Sequence, residues 1–137
     1  MATDFHIENN ADLTREAFEA CIKRALDAIG QQAEGYAKES ITRAGAVDTG
    51  RLRNSVAYST HEKFGSHDYT DNSGENHYAD TIGQAEENTV YIGTNVEYAP
   101  YIEYGHGSYA GVHFLKDAAG NHTDEYKDII KQSMENA

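Results

Sequence analysis

The sequence predicts an α+β fold: a long N-terminal helix and C-terminal helices packed on a small antiparallel sheet, with a long central hairpin or loop. Three observations carry this. Apolar residues recur at three- and four-residue intervals from Phe18 to Ile41, which marks one amphipathic helix. Two short alternating segments, Val56 to Thr60 and Thr89 to Gly93, read as strands that can pair with each other. A second helical stripe, Tyr126, Ile129, Ile130 and Met134, closes the chain.

The elements follow in order. Residues 1–10 are polar and predict an arm, in which Phe5 and Ile7 alternate as in a short strand. The long helix runs from Asp12, a candidate N-cap, to about Gly45, with Lys38 and Arg43 near its C-terminus as the helix dipole favours. Its stripe comprises Phe18, Ile22, Ala25, Leu26, Ile29, Ala33, Tyr36, Ala37 and Ile41, and Cys21 falls on the same apolar side, so packing rather than thiol chemistry is expected of it. Gly30 and Gly35 interrupt the stripe at positions suited to a bend or a close approach. Asp48 or Thr49 can cap a short turn anchored by Leu52. In the following strand Val56 and Tyr58 should share one face, Ala57 and Ser59 the other.

Residues 61–88 are polar and contain few large aliphatic side chains, which predicts a long hairpin or loop able to reach a neighbour. After the second strand, Gly93 and Asn95 allow a turn. Pro100, the only proline, then fits the first turn of a short helix that Gly105 can end. Residues 106–111 read as a loop, 112–119 as the start of a helix broken at Gly120-Asn121, and Thr123 as the cap of a final helix whose stripe faces the sheet.

A chain of 137 residues is expected to form a single domain spanning 1–137. Its formal charge of −12 is uneven: residues 1–53 hold nine acids against seven bases, residues 54–137 fourteen against four. Such a surface disfavours ordinary duplex-DNA binding. A local exception is the segment with Lys38, Arg43, Arg51 and Arg53, a candidate contact for DNA or an acidic partner. One cysteine excludes an internal disulfide. No apolar run suits a membrane span and the first residues lack the regions of a signal peptide, so the expectation is a soluble protein with no membrane association.

Catalytic signatures are weak. His61, His67, Asp68, Asp71, Glu75, His77 and Asp80 offer metal-ligand types without diagnostic spacing, and a solvated polar loop is the expectation. Gly-x-Ser-x-Gly and a phosphate loop are both absent. Glu97 and Glu103 flank the tyrosine-rich helix without further support for acid/base chemistry, and count with its tyrosines as candidates for a subunit or partner interface. No enzyme activity and no cofactor are expected. Tyr98, Tyr101 and Tyr104, at three-residue spacing, are candidates for core packing and for a subunit interface, and the spacing leaves open which of them face inward; a buried Tyr101 with an exposed Tyr104 would suit an interface, all three buried would make the segment core. Arg51 and Arg53 can pair with acids of a neighbour, or locally with Asp48 or Glu97.

Two motifs carry a resemblance. Val47-Asp-Thr-Gly-Arg-Leu-Arg-Asn-Ser-Val, followed by Val90-Tyr-Ile-Gly-Thr-Asn-Val-Glu-Tyr-Ala-Pro-Tyr-Ile-Glu-Tyr-Gly and then His113-Phe-Leu-Lys, resembles the HK97 gp10-like tail-component proteins of tailed bacteriophages. The likeness covers roughly residues 10 to 135; the third segment lacks the arginine and prolines usual in relatives. The resemblance implies a structural virion protein, synthesised in the host cytoplasm, that forms a homo-oligomeric ring in the neck or at the head-proximal end of the tail. Implied partners are a tail terminator, a head-closure protein and the tail-tube protein, with transient contact to translocating DNA. Two other readings are a DNA-contacting head-tail adaptor and a metal-dependent hydrolase using the central His/Asp loop.

Overall fold

The computed structural model describes residues 11–45, 49–63, 65, 67–70, 73–79 and 84–135. The predicted arm at 1–10 and the candidate cap Asp48 lie outside them, as do the side chains of Asp12 and Thr49. The architecture is α+β, as expected, and its frame is helix α1, Ala11–Ala44. Its 34 residues give a rod roughly 50 Å long at 1.5 Å per residue. Cys21, Ala25, Ala33, Ala37 and Ile41 are buried along one side. The small residues among them let neighbours approach closely. At Gly30 the approach is closest: an added Cβ would lie 2.2 Å from the Tyr58 ring. Gly35 faces open space instead. Phe18, assigned to the core stripe from periodicity, is 49% exposed, because α1 continues past the body that covers its later turns. Gly45 ends the helix at φ 61°.

Helix α2, Thr49–Ser55, buries Leu52 and Ser55 fully. Strand β1, Ala57–Ser59, pairs antiparallel with β4, Tyr91–Gly93, in the register Ala57↔Gly93, Tyr58↔Ile92 and Ser59↔Tyr91. This is the expected pairing, one to two residues shorter at the ends. The expected division of β1 into two unlike faces is not seen. All three residues are buried, since α1 packs on the strand and the backbone at Gly65 runs against Tyr58, with the Gly65 N–H donating to Ser59 Oγ at 3.0 Å.

The central segment forms a hairpin, β2 (His67–Thr70) with β3 (Asn76–Ala79). Helix α3, Ala99–Tyr104, has Pro100 in its first turn and ends at Gly105, φ 91°. Residues read as a loop form a small hairpin, β5 (Gly105–His106) with β6 (Tyr109–Ala110). Helices α4, Phe114–Gly120, and α5, Thr123–Glu135, complete the described chain. Thr123 is the first residue of α5 rather than its cap: its hydroxyl donates to the Gly120 carbonyl at 3.0 Å. The described strands therefore form three two-stranded sheets, not one.

The main core joins Ala37 and Ile41 of α1, Leu52 and Val56, Val96 and Ala99, and Phe114 and Ala118. Elements from both ends of the chain thus meet on the C-terminal half of α1. Helix α5 also packs on α1, which corrects the expectation that its stripe faces the sheet. The contact is specific: Tyr36 stacks on His122 with centroids 3.5 Å apart and rings 3° from parallel, and its hydroxyl donates to Glu125. With α1 occupying that side, Met134 remains 45% exposed.

Candidate functional site

Helix α2 holds the first motif and the 94–104 segment holds the second, and the fold brings them into contact. Leu52 is buried in the same cluster as Val96 and Ala99. Beside that apolar contact, Ser55 Oγ donates to the Leu52 carbonyl at 2.6 Å and also bonds Thr94 Oγ1. Arg51 closes the junction on its outer side. Its Nη1 and Nη2 donate to Glu97 Oε1 and Oε2 at 3.0 and 2.9 Å, a bidentate pair, and its guanidinium lies 5.6 Å from the centre of the Tyr98 ring. The guanidinium holds the Glu97 carboxyl below the usual carboxylate range. Of the alternatives open from sequence, the local pair with Glu97 is the one present.

The central hairpin is tied to the same junction. Tyr69 of β2 lies close enough to Arg51 to favour its charged form, after the larger effect of Glu97, and stacks on His77 of β3, with centroids 5.2 Å apart. His67 Nε2 lies 2.6 Å from the Asn54 carbonyl, and Asn95 Nδ2 donates to the Tyr78 carbonyl at 2.7 Å. Arg51 is therefore an internal hub connecting α2, the turn before α3 and the hairpin. Tyr69 was not legible in this role from the sequence, although its two-residue spacing from His67 puts those two on one face of the hairpin, with His77 directly opposite Tyr69.

Glu103 corrects a second expectation. It was a candidate for a partner surface, yet it is 4% exposed, and its two carboxylate oxygens accept from the backbone N–H groups of Leu115 and Lys116 at 2.9 and 3.0 Å. Both groups belong to the first turn of α4, which has no intrahelical acceptor for them. His113, the residue before α4, sits at φ 56° and makes no side-chain cap, so Glu103 supplies it from another helix.

The structure divides the three tyrosines between core and surface. Tyr98 is half-buried against the core, while Tyr101 and Tyr104 are 56% and 76% exposed. Glu103 takes the inward position of α3, and Tyr101 faces outward. Tyr101 meets His106 edge-on at 5.2 Å, and His106 faces Tyr109 across the β5–β6 hairpin. Tyr101, Tyr104, His106 and Tyr109 thus form an uncharged aromatic ridge on the surface.

Two of the candidate DNA contacts have acidic neighbours one helical turn away. Lys38 pairs with Glu34 at 3.2 Å and Arg43 with Glu39 at 3.9 Å, while Arg53 donates to Thr42 Oγ1 at 3.3 Å. The candidate metal ligands are likewise dispersed. His61 bonds the Ala85 carbonyl at 3.1 Å, His67 and His77 are engaged as above, and Asp71 and Asp80 lie outside the described residues. Among the described residues no three His, Cys, Asp or Glu side chains are grouped to hold a metal ion, and no helix is long and apolar enough to cross a membrane.

The fold and the junction together define a small α+β protein whose motif side chains bond one another within the chain and leave aromatic surface outside them. Residues 6–105 match the family model HK97-gp10-like, described as "Bacteriophage HK97-gp10, putative tail-component". The match covers well over half of the chain, and the protein belongs to this family of phage structural proteins. It ends at Gly105, so the β5–β6 hairpin, α4 and α5 lie beyond it. Neither the curated proteins nor the solved structures include a significant match.

Proposed function

We propose that this phage tail component is a ring-forming neck or tail completion protein at the head-tail junction. The observation that carries the reading is the joined motif pair: Arg51, Glu97 and the buried Leu52 contact fix α3 firmly, while its outer face presents Tyr101 and Tyr104 to a neighbour. Tyrosines held on a rigid element suit association because little conformational entropy remains to be lost. In this reading the copies form a homo-oligomeric ring between a head-closure protein on one side and a tail terminator or tail-tube ring on the other. The acidic chain suits a channel through which DNA slides without adhering. The pairing of Lys38 and Arg43 with glutamates makes a dedicated DNA-contacting adaptor the weaker alternative.

Electron microscopy of the intact virion tests the assignment. Density for this subunit as a ring at the head-proximal end of the tail is expected. Its location at the distal tip, or normal joined particles from a phage lacking the protein, would refute the proposal.

A further inference from the structure

The aromatic ridge has a counterpart at the other end of the molecule. Residues 15–19, the early turns of α1, are exposed on every side of the helix. On one face Arg15, Phe18 and Glu19 stand together, at spacings of three and four residues. Phe18 is a large apolar side chain that the subunit leaves about half exposed. Helix α3, which carries Tyr101 and Tyr104 of the ridge, packs through Ala99 and Ile102 into the core cluster that includes Ala37 and Ile41, about 20 residues further along α1. At 1.5 Å per residue the two patches are roughly 30 Å apart along the helix, so one subunit cannot join them.

Their chemistry is complementary. From Tyr98 to Leu115 the sole charged side chain is Glu103, which is buried; the ridge therefore offers aromatic faces and hydroxyl donors without charge. The α1 patch offers an aromatic ring, a guanidinium that can lie on a tyrosine face and a carboxylate that can accept from a tyrosine hydroxyl. The chain already uses tyrosine-to-carboxylate bonds within itself, Tyr58 to Asp27 at 2.7 Å and Tyr36 to Glu125. Two copies of net charge −12 also meet with least repulsion where one surface is neutral. With each tyrosine presenting roughly 200 Å² when fully exposed, Tyr101, Tyr104 and Tyr109 offer on the order of 400 Å². That is about half of one side of a standard interface, and flanking residues such as Pro100 and Ala110 would extend it.

From these features we infer that the ridge of one copy receives the Arg15–Phe18–Glu19 face of a second copy, head to tail. The inference rests on the ring-forming reading and specifies its subunit contact. A head-to-tail contact of this kind propagates into a ring or filament and does not stop at two copies.

Sedimentation and native mass measurements on the full chain test it, using wild type, Phe18→Ser and the double variant Tyr101→Ser/Tyr104→Ser. All three side chains are exposed, so circular dichroism and the thermal midpoint should match wild type. Wild type should form species of three or more copies. Each variant should raise the half-assembly concentration at least roughly tenfold. An equimolar mixture of the two variants retains one intact contact and should yield 1:1 dimers and nothing larger. Variants that assemble like wild type would overturn the ridge contact while leaving a ring in place, and wild type that stops at a symmetric dimer would overturn the head-to-tail geometry. Wild type that remains monomeric at the highest concentration reached would also overturn the contact, while virion microscopy decides the neck assignment separately.

Discussion

Glu103 and Arg51 are both charged residues in the motif region, and both stabilise internal junctions, by different means. Glu103 is withdrawn from water and compensated by two backbone donors at the start of α4. Glu103→Ala leaves those N–H groups without an acceptor, and we expect a loss of about 2–4 kcal/mol in chemical denaturation. Glu103→Gln keeps one carbonyl acceptor and should lose about half as much. Arg51 sits in a more open place, where its value is geometric. Arg51→Lys cannot maintain the bidentate grip on Glu97 or reach Tyr69 at the same time. Backbone amides of the β2–β3 hairpin should then exchange hydrogen faster, with those of β1 and β4 unchanged; equal acceleration in both would refute the hub. Acid should act in the same direction. The Glu97 carboxyl titrates below its usual range in the fold, so the pair's contribution is present above about pH 4 and is lost as pH falls through the lowered value. Sequence alone placed Glu97 among the candidate partners of Arg51, beside Asp48 and the acids of a neighbour, and left the choice open, because only the fold brings together two residues 46 positions apart. It could not supply the burial of Glu103, since the need for an acceptor arises only when α4 docks with His113 in a left-handed conformation that cannot cap it.

At the scale of elements, periodicity located α1, the β1–β4 pair and the proline-started α3 to within one or two residues, because each is governed by local pattern and by one special residue. Neighbour choice was less legible. The α5 stripe has the form of a helix that needs an apolar partner, and nothing local specifies whether that partner is a sheet or another helix. The answer lies in a long-range aromatic contact, Tyr36 on His122, reinforced by the Tyr36 hydroxyl on Glu125. The hydrogen bond, first, and burial, second, push the Tyr36 phenol up to about 12. The neutral phenol is the form that donates. Its contribution is therefore complete below about pH 10, where an unfolded tyrosine ionises, and is lost as pH climbs toward 12. In an alkaline titration followed by tyrosinate absorbance and helical circular dichroism, wild type should lose helix signal in this window. Tyr36→Phe should begin from a less stable state and show a smaller pH-dependent change there. An unchanged profile in the variant would remove Tyr36 from the α1–α5 contact.

For the whole molecule, charge sets the conditions under which the subunit can assemble. Each copy carries −12, and residues 54–137 contribute fourteen acids against four bases, so approaching copies repel over the distance that salt leaves unscreened. An association built on ion pairs across the interface weakens as salt rises, because its attraction is screened. The proposed contact joins a ridge without Asp, Glu, Lys or Arg to a face that carries Phe18 between Arg15 and Glu19, and its attraction is aromatic packing and hydrogen bonding. Salt then screens mainly the repulsion between the bodies. Raising ionic strength from about 0.05 to 0.5 M shortens the Debye length from roughly 14 to 4 Å, so the half-assembly concentration of the wild-type chain should fall. Light scattering across that range decides the matter: assembly that weakens with salt would place ion pairs, and not the Tyr101–Tyr104 ridge, at the centre of the interface.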